Sequence, residues 1–251
     1  MKKEHYLLPL ILIVIWQGLA YSRVFPSYKL PSPSQILLGF KDLLLIGVPP
    51  GHLLQYHVLY SLYRVALGYA VAALLAIPLG LLMGWSSRLR GMIRPLVELV
   101  RTIPPLAWIP IAILWFGIGL KSAVFIIFLG SFFPILLNTV SGVLSISPLL
   151  VDAARTLHAE DKHIFTKVLL PGSIPSMFVG LRIGMGIGWM TLVASEFTGV
   201  KEGYGLGYMI MTARDIQRPD EILAGMLIIG LIGLMIDNGL RAAEARTIRW
   251  R

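Results

Sequence analysis

An all-α membrane fold with six transmembrane helices is what this chain predicts, and three observations carry the prediction. Hydrophobic residues make up 56% of its 251 positions and charged residues only 14%, against roughly a quarter charged in soluble domains. Runs free of Asp, Glu, Lys and Arg cover residues 6–22, 65–87, 102–120 and 122–151, each near or above the roughly 17–25 residues that cross a bilayer as helix. Two more apolar runs hold a single charge each, 168–195 around Arg182 and 222–240 around Asp237. The chain has no cysteine, which excludes a disulfide framework, Cys-ligated zinc and thiol catalysis.

Taken in order, the first span follows Lys2 and Lys3 and ends in the small residues Gly18-Leu19-Ala20. The same features describe a secretory signal peptide, whose removal would leave five spans. The net charge of +9 is read as loop charge. Placing both termini in the cytoplasm puts Lys2, Lys3, Arg88, Arg90, Arg94, Arg155, Lys162, Lys167, Arg241, Arg246, Arg249 and Arg251 inside, and Arg23, Lys29, Lys41, Lys121, Lys201, Arg214 and Arg218 outside. The tight loop 86–94 carries three of the inside arginines, and short loops weigh most in setting orientation. There is no aromatic-interleaved basic face of the kind that binds nucleic acid.

Span two contains Pro78, span three Pro104, Pro105 and Pro110, and span four Pro134. Proline removes an amide donor and frees a carbonyl four residues back, which lipid cannot satisfy, so these spans are expected as broken helices inside a bundle or beside a water-filled path. Span five carries Gly180, Gly184 and Gly188 at four-residue spacing, with Gly172 on the same row. That face suits close helix contact, either within the chain or against a second copy. Residues 23–59, rich in proline, form an outer loop too small to bury a core of its own. With no internal repeat, the chain is expected as one transmembrane domain over 1–251.

Catalytic constellations are missing from the sequence. No lysine follows a glycine, so there is no phosphate-binding P-loop. His158 and His163 lack the i, i+4 spacing of a helical metal pair, and no Gly-x-Ser-x-Gly elbow occurs. No catalytic residue and no metal site are expected.

The most informative stretch is cytoplasmic, residues 149–170. A short amphipathic piece places Leu149, Leu150, Ala153, Ala154 and Leu157 on one side, and a second piece follows with Ile164, Val168 and Leu169. Small residues flanked by leucines suit a helix-in-groove contact with another protein; a helix lying on lipid headgroups would read the same way. In detail the sequence runs Asp152-Ala153-Ala154, then Arg155-Thr156-Leu157, then His158, with Leu169-Leu170-Pro171 downstream. This resembles the EAA loop of ABC-importer permeases. The stretches 101–110 (RTIPPLAWIP) and 115–119 (WFGIG), together with 180–184 (GLRIG), Gly188-Trp189 and Ala194-Ser195-Glu196, are similar to the branch serving nitrate, taurine, aliphatic sulfonates and bicarbonate.

The resemblance implies the type I ABC importer permease fold. It further implies a homodimer in the cell inner membrane, two cytoplasmic ATPase subunits that bind ATP and Mg, an external solute-binding protein, and no cofactor on this chain. Asp152, Ala153, Ala154, Thr156, Leu157, His158 and Pro171 would couple to the ATPase. His158 stands where the family has glycine at a tight turn of positive φ, a conformation His adopts at a cost.

An intramembrane ion is a functional candidate by default. Arg182 lies eleven residues beyond Pro171, roughly 16 Å along a helix, with Glu196 a further ~21 Å on, too far to pair. Arg182, with Trp108 or Trp189 nearby, would favour a small anion by supplying positive potential, or would satisfy carbonyls freed by a broken helix. Arg101, with Arg182 and Glu196, is expected on the translocation path, or is simply neutralised by Glu98, three residues away on the same helix face. The outer loop with Gly203, Gly205 and Gly207 has the flexibility of a gate; a plain surface turn would read the same way. The function expected is import of a small anionic solute as an ABC permease. The rival is an ion-gradient-driven carrier using Glu196 or Asp237 for protons.

Overall fold

The computed structural model describes residues 4–22, 26, 28–198, 200 and 202–248; Lys2, Lys3, Arg23, Lys201, Arg249 and Arg251 lie outside them. In chain order the helices are α1 (Glu4–Tyr21), α2 (Pro33–Leu45), α3 (Leu54–Trp85), α4 (Ser87–Arg101), α5 (Ile109–Phe116), α6 (Leu120–Leu144), α7 (Pro148–Thr156), α8 (Asp161–Ile164), α9 (Leu170–Phe197), α10 (Leu206–Asp215) and α11 (Pro219–Thr247). A 3₁₀ turn, Pro105–Trp108, precedes α5, and a π turn, Phe165–Leu169, joins α8 to α9. No strand occurs among the described residues, only a bridge between Val48 and His52.

Among the described residues, four helices are long and apolar enough to cross a membrane: α3, α6, the continuous run Asp161–Phe197, and α11. The third expected span is built differently. It pairs α4 with Pro105–Phe116 at a bend of 82°, because Pro104 and Pro105 lack the amide donors a helix needs there. The first is a shorter apolar helix, Leu10–Tyr21. Two expected breaks are corrected: α3 runs through Pro78 and α6 through Pro134 without interruption. A lone proline keeps helical φ and forfeits one hydrogen bond, so it kinks where two in succession disrupt. Helix α3 also begins eleven residues before the expected run at 65. The charge that truncated that run, Arg64, is 1% exposed inside the helix.

Residues group into two compact units, 62–195 with 233–251 and 1–61 with 196–232. In the first, α6 is the central helix and glycines on its neighbours let it sit close. Gly184 of α9 lies so near that a Cβ would fall 2.8 Å from Ile135 Cγ1 and 2.9 Å from the Ser131 carbonyl, and Ser131 Oγ donates to the Gly184 carbonyl at 3.0 Å. The glycine row of span five is therefore the seam between α9 and α6 of one chain. Gly68, Gly80 and Gly84 make the corresponding seam from α3 against Ile127, Thr139 and Val143. The core between them holds Ala72, Ala76, Met83, Val97, Ile135, Leu136 and Val140. Arg90 of α4 folds back to donate to the Met83 and Gly84 carbonyls at 3.0 and 3.3 Å, closing the C-terminal end of α3 with the positive charge its dipole favours.

In the second unit, Ser32 caps α2, accepting from Gln35 N while Gln35 Oε1 accepts from Ser32 N, a reciprocal capping box. Helix α2 buries Ile36, Gly39 and Leu43. It is clamped to the turn before α11 by Arg218, whose guanidinium reaches Asp42 at 2.7 Å, Asp220 at 2.8 Å and Glu221 at 3.1 Å. Hydrogen bonds that Arg218 donates to Asp220 and Asp42 push its pKa further up, so the guanidinium stays charged throughout the working range.

Candidate functional site

The segment 149–170 folds as its pattern requires. Helix α7 starts at Pro148, with proline in the first turn where its missing donor costs nothing. Its end is a Schellman turn: Ala159 N donates to the Ala154 carbonyl at 3.0 Å and His158 N to the Arg155 carbonyl at 2.9 Å. His158 occupies the left-handed position with φ 59°, so the turn that the glycine pattern calls for forms around a histidine. The apolar side divides. Val151, Ala154 and Ala159 pack on Leu81, Val143, Ile164 and Leu169, which moves Ala154 from the expected outer face to the inner one. Leu149, Leu150 and Leu157 stay outside at 75%, 57% and 82% exposure, with Asp152, Ala153 and Thr156 also exposed. Pro171 follows the π turn, in which Leu170 N bonds the Phe165 carbonyl five residues back; this register shift sits just ahead of a residue that can donate nothing.

Arg182 and Trp189 meet at one cavity of about 240 Å³ between α9 and α11, with Gly186, Gly233 and Asp237 on its wall. The guanidinium is paired there: Nε is 3.3 Å from Asp237 Oδ1, and Nη1 is 3.5 Å from Glu244 Oε2. Arg101 lies elsewhere, beside a cavity of about 420 Å³ whose wall includes Pro105, Gly130, Phe133 and Ile187. It is held by Glu98 at 2.5 Å, the pairing expected from their spacing. Trp108 lies edge-on to Phe125 with ring centres 6.4 Å apart, and Trp115 and Phe116 complete that cluster.

Glu196 is a separate site, as its spacing from Arg182 foretold. It is fully buried, its carboxylate accepting from Ser61 Oγ at 2.8 and 3.0 Å and from Gly207 N at 2.9 Å. The loop 203–207 is held along its length. His52 Nδ1 donates to the Gly203 carbonyl at 2.9 Å, Gly205 N donates to His57 Nδ1 at 3.0 Å, and Leu206 N donates to Ser61 Oγ at 2.9 Å. Tyr204 stacks between the rings of His52 and Tyr60. A Cβ at Gly205 would fall 2.6 Å from the Glu196 carboxyl carbon, so the loop approaches as only glycine permits.

His52, His57, Ser61, Arg241 and Glu244 escaped the sequence reading. The first three stand outside the expected span at 65. The spacing of Asp237, Arg241 and Glu244, at i, i+4 and i+7, was a visible signal for the last two.

The described residues thus form an all-α structure with long apolar helices and an exposed helix α7. Residues 76–242 match the family described as the inner membrane component of binding-protein-dependent transport systems. The chain belongs to that family. It is similar to an ABC transporter permease protein of Methanocaldococcus jannaschii, 43% identical over 97% of this chain and 90% of the relative. It is also similar to the taurine transport system permease protein TauC of Escherichia coli, 37% identical over 96% of this chain and 86% of the relative. Permeases named for aliphatic sulfonates, nitrate and bicarbonate match as well. The MetNI methionine ABC transporter in an inward-facing conformation shares the fold, with TM-score 0.60 and 22% identity, over 74% of this chain and 94% of that one. This permease is thus a multi-pass inner membrane subunit of an ABC importer, working with an ATPase and a solute-binding protein, and is not itself an enzyme.

Proposed function

We propose that this permease imports a small oxyanion or sulfonate-type solute. Two copies would form the path, two cytoplasmic ATPases would bind ATP and Mg and close on them, and an external binding protein would deliver the solute. The single transmembrane domain over 1–251 would bind no cofactor of its own. The similarity to permeases for taurine, sulfonates, nitrate and bicarbonate supports the solute class, and the arginine-rich turn into α4 supports cytoplasmic termini.

One observation carries the coupling role. Helix α7 is fixed to its own subunit on one side by Val151 and Ala154, while it exposes Leu149, Leu150, Ala153 and Leu157 on the other. An anchored helix with an apolar free face transmits displacement of a partner groove into the helices behind it, here α6 and α9. Asp152, Thr156 and the turn at His158 flank that face, and Pro171 begins the helix that receives the movement.

Arg182, Arg101, Trp108 and Trp189 would line the path at membrane depth, and the loop 203–207, seated on Glu196, would gate its outer mouth. The reading is tested by purifying the tagged permease in mild detergent from its native cell. A Walker-motif ATPase should accompany it in equal amount and be lost with Ala153→Glu. Recovery of the folded chain without any ATPase under several mild conditions, with proton-driven uptake in liposomes, would overturn the proposal.

A further inference from the structure

The charge that draws attention in the sequence is not bare. Arg182 of α9 stands 3.3 Å from Asp237 and 3.5 Å from Glu244, both of α11. Asp237 divides its oxygens, Oδ1 towards Arg182 and Oδ2 towards Arg241 Nη2 at 2.8 Å. Arg182 and Asp237 line the cavity that Trp189 shares, and with Arg241 and Glu244 the two guanidinium groups and two carboxylates sum to zero formal charge. An anion entering that cavity meets the Asp237 carboxylate beside the Arg182 guanidinium, and at such short separations the repulsion offsets much of the attraction.

We infer that Asp237 and Glu244 are internal counter-anions that mask Arg182. The solute anion binds the guanidinium only when α11 carries these carboxylates away, and their return expels it. Three features make the exchange feasible. Asp237 and Glu244 lie on one face of α11, at i and i+7, so a single small rotation withdraws both. Asp237 retains Arg241 as a partner when it leaves Arg182, so its charge is never stranded. The three side chains are 30%, 39% and 21% exposed, so none is locked in place by surrounding side chains. Masking gives one site two affinities, and a ligand with different affinities for two states is what couples occupancy to conformation. The inference rests on the reading that Arg182 lies on the path.

Iodide serves as the anion probe, independent of the natural solute. In the reconstituted complex whose other tryptophans are changed to phenylalanine, Trp189 fluorescence reports anion entry beside Arg182. Asp237→Asn with Glu244→Gln should raise the iodide quenching constant by about fivefold or more, the lower bound of ordinary coupling between sites. Adding Arg182→Met should abolish that rise. Quenching unchanged in the double variant overturns masking, while loss of solute uptake in Arg182→Met alone would leave the path reading standing. Uptake with unchanged KM in Arg182→Met removes the path reading and the masking together. Should the double variant fail to co-purify with its ATPase, Glu244→Gln alone keeps the Asp237–Arg241 pair, and the same rise in quenching is required of it.

Discussion

Ser61 and Glu196, 135 residues apart in sequence, are joined by the Ser61 hydroxyl, which donates to both carboxylate oxygens at 2.8 and 3.0 Å while accepting from Leu206 N. One buried hydroxyl thus fixes the start of α3, the end of α9 and the first turn of α10. Ser61→Ala takes one donor from the Glu196 carboxylate, which keeps Gly207 N, and leaves the Leu206 amide without the acceptor it has here. Leaving such an amide unsatisfied costs about 1–3 kcal/mol. The expected outcome is a lower unfolding temperature in detergent together with slower uptake; Ser61→Thr, which restores the hydroxyl, should recover both.

His158 holds a left-handed backbone that glycine adopts freely, at a cost of about 1–2 kcal/mol for an L-residue. Its side chain is exposed, so His158→Gly removes strain and little else. Thermal unfolding should shift upward with the EAA-type turn intact, whereas His158→Val, branched at Cβ, should shift it downward.

Leu157 is 82% exposed in this subunit, so its removal should cost the isolated permease almost nothing. Leu157→Ala is expected to leave expression and unfolding temperature unchanged while separating ATP hydrolysis from uptake in proteoliposomes. Equal uptake per ATP in variant and parent would remove Leu157 from the coupling surface.

Gly184 lies on the α6 seam, with Ile135 and the Ser131 carbonyl already at contact distance from an added Cβ. Gly184→Val forces the two helices apart, and overpacking of this kind costs about 1–3 kcal/mol or more. Loss of monodisperse protein on size exclusion is expected. Gly186→Ala is the control, since a Cβ there meets nothing within 4 Å.

Arg218 gathers Asp42, Asp220 and Glu221. Arg218→Met leaves three carboxylates facing each other across the contact between α2 and α11. Limited proteolysis should then cut within 28–53 where the parent resists. Arg218→Lys should protect only in part, since an ammonium lacks the fork that serves several carboxylates at once.

Much of this was legible in the residues themselves. Charge-free runs located α3 and α6, and runs with a single charge located α9 and α11, because burial in lipid tolerates few ions and leaves a gap in the charge pattern. The glycine spacing marked the α9 face, and Asp152-Ala153-Ala154 marked α7. The run ending at Arg64 was misplaced, because a sequence shows the presence of a charge and not whether its surroundings enclose it. Pro78 and Pro134 pointed to breaks that did not form, because one lost hydrogen bond is tolerated by a helix packed along its length.

The sequence by itself determined the membrane class, the family and the places of the long apolar helices, since these follow from local composition and short motifs; of the six spans it predicts, four are long apolar helices among the described residues, one is a bent pair and the first is the shorter Leu10–Tyr21. Tertiary structure alone decided that Arg182 is matched by Asp237 and Glu244, that Glu196 seats the glycine loop through Ser61, and that Ala154 faces inward while Ala153 faces out. Those facts depend on which helix faces meet across more than fifty residues of chain. A charge has no fixed meaning until its neighbours within a few ångströms are known.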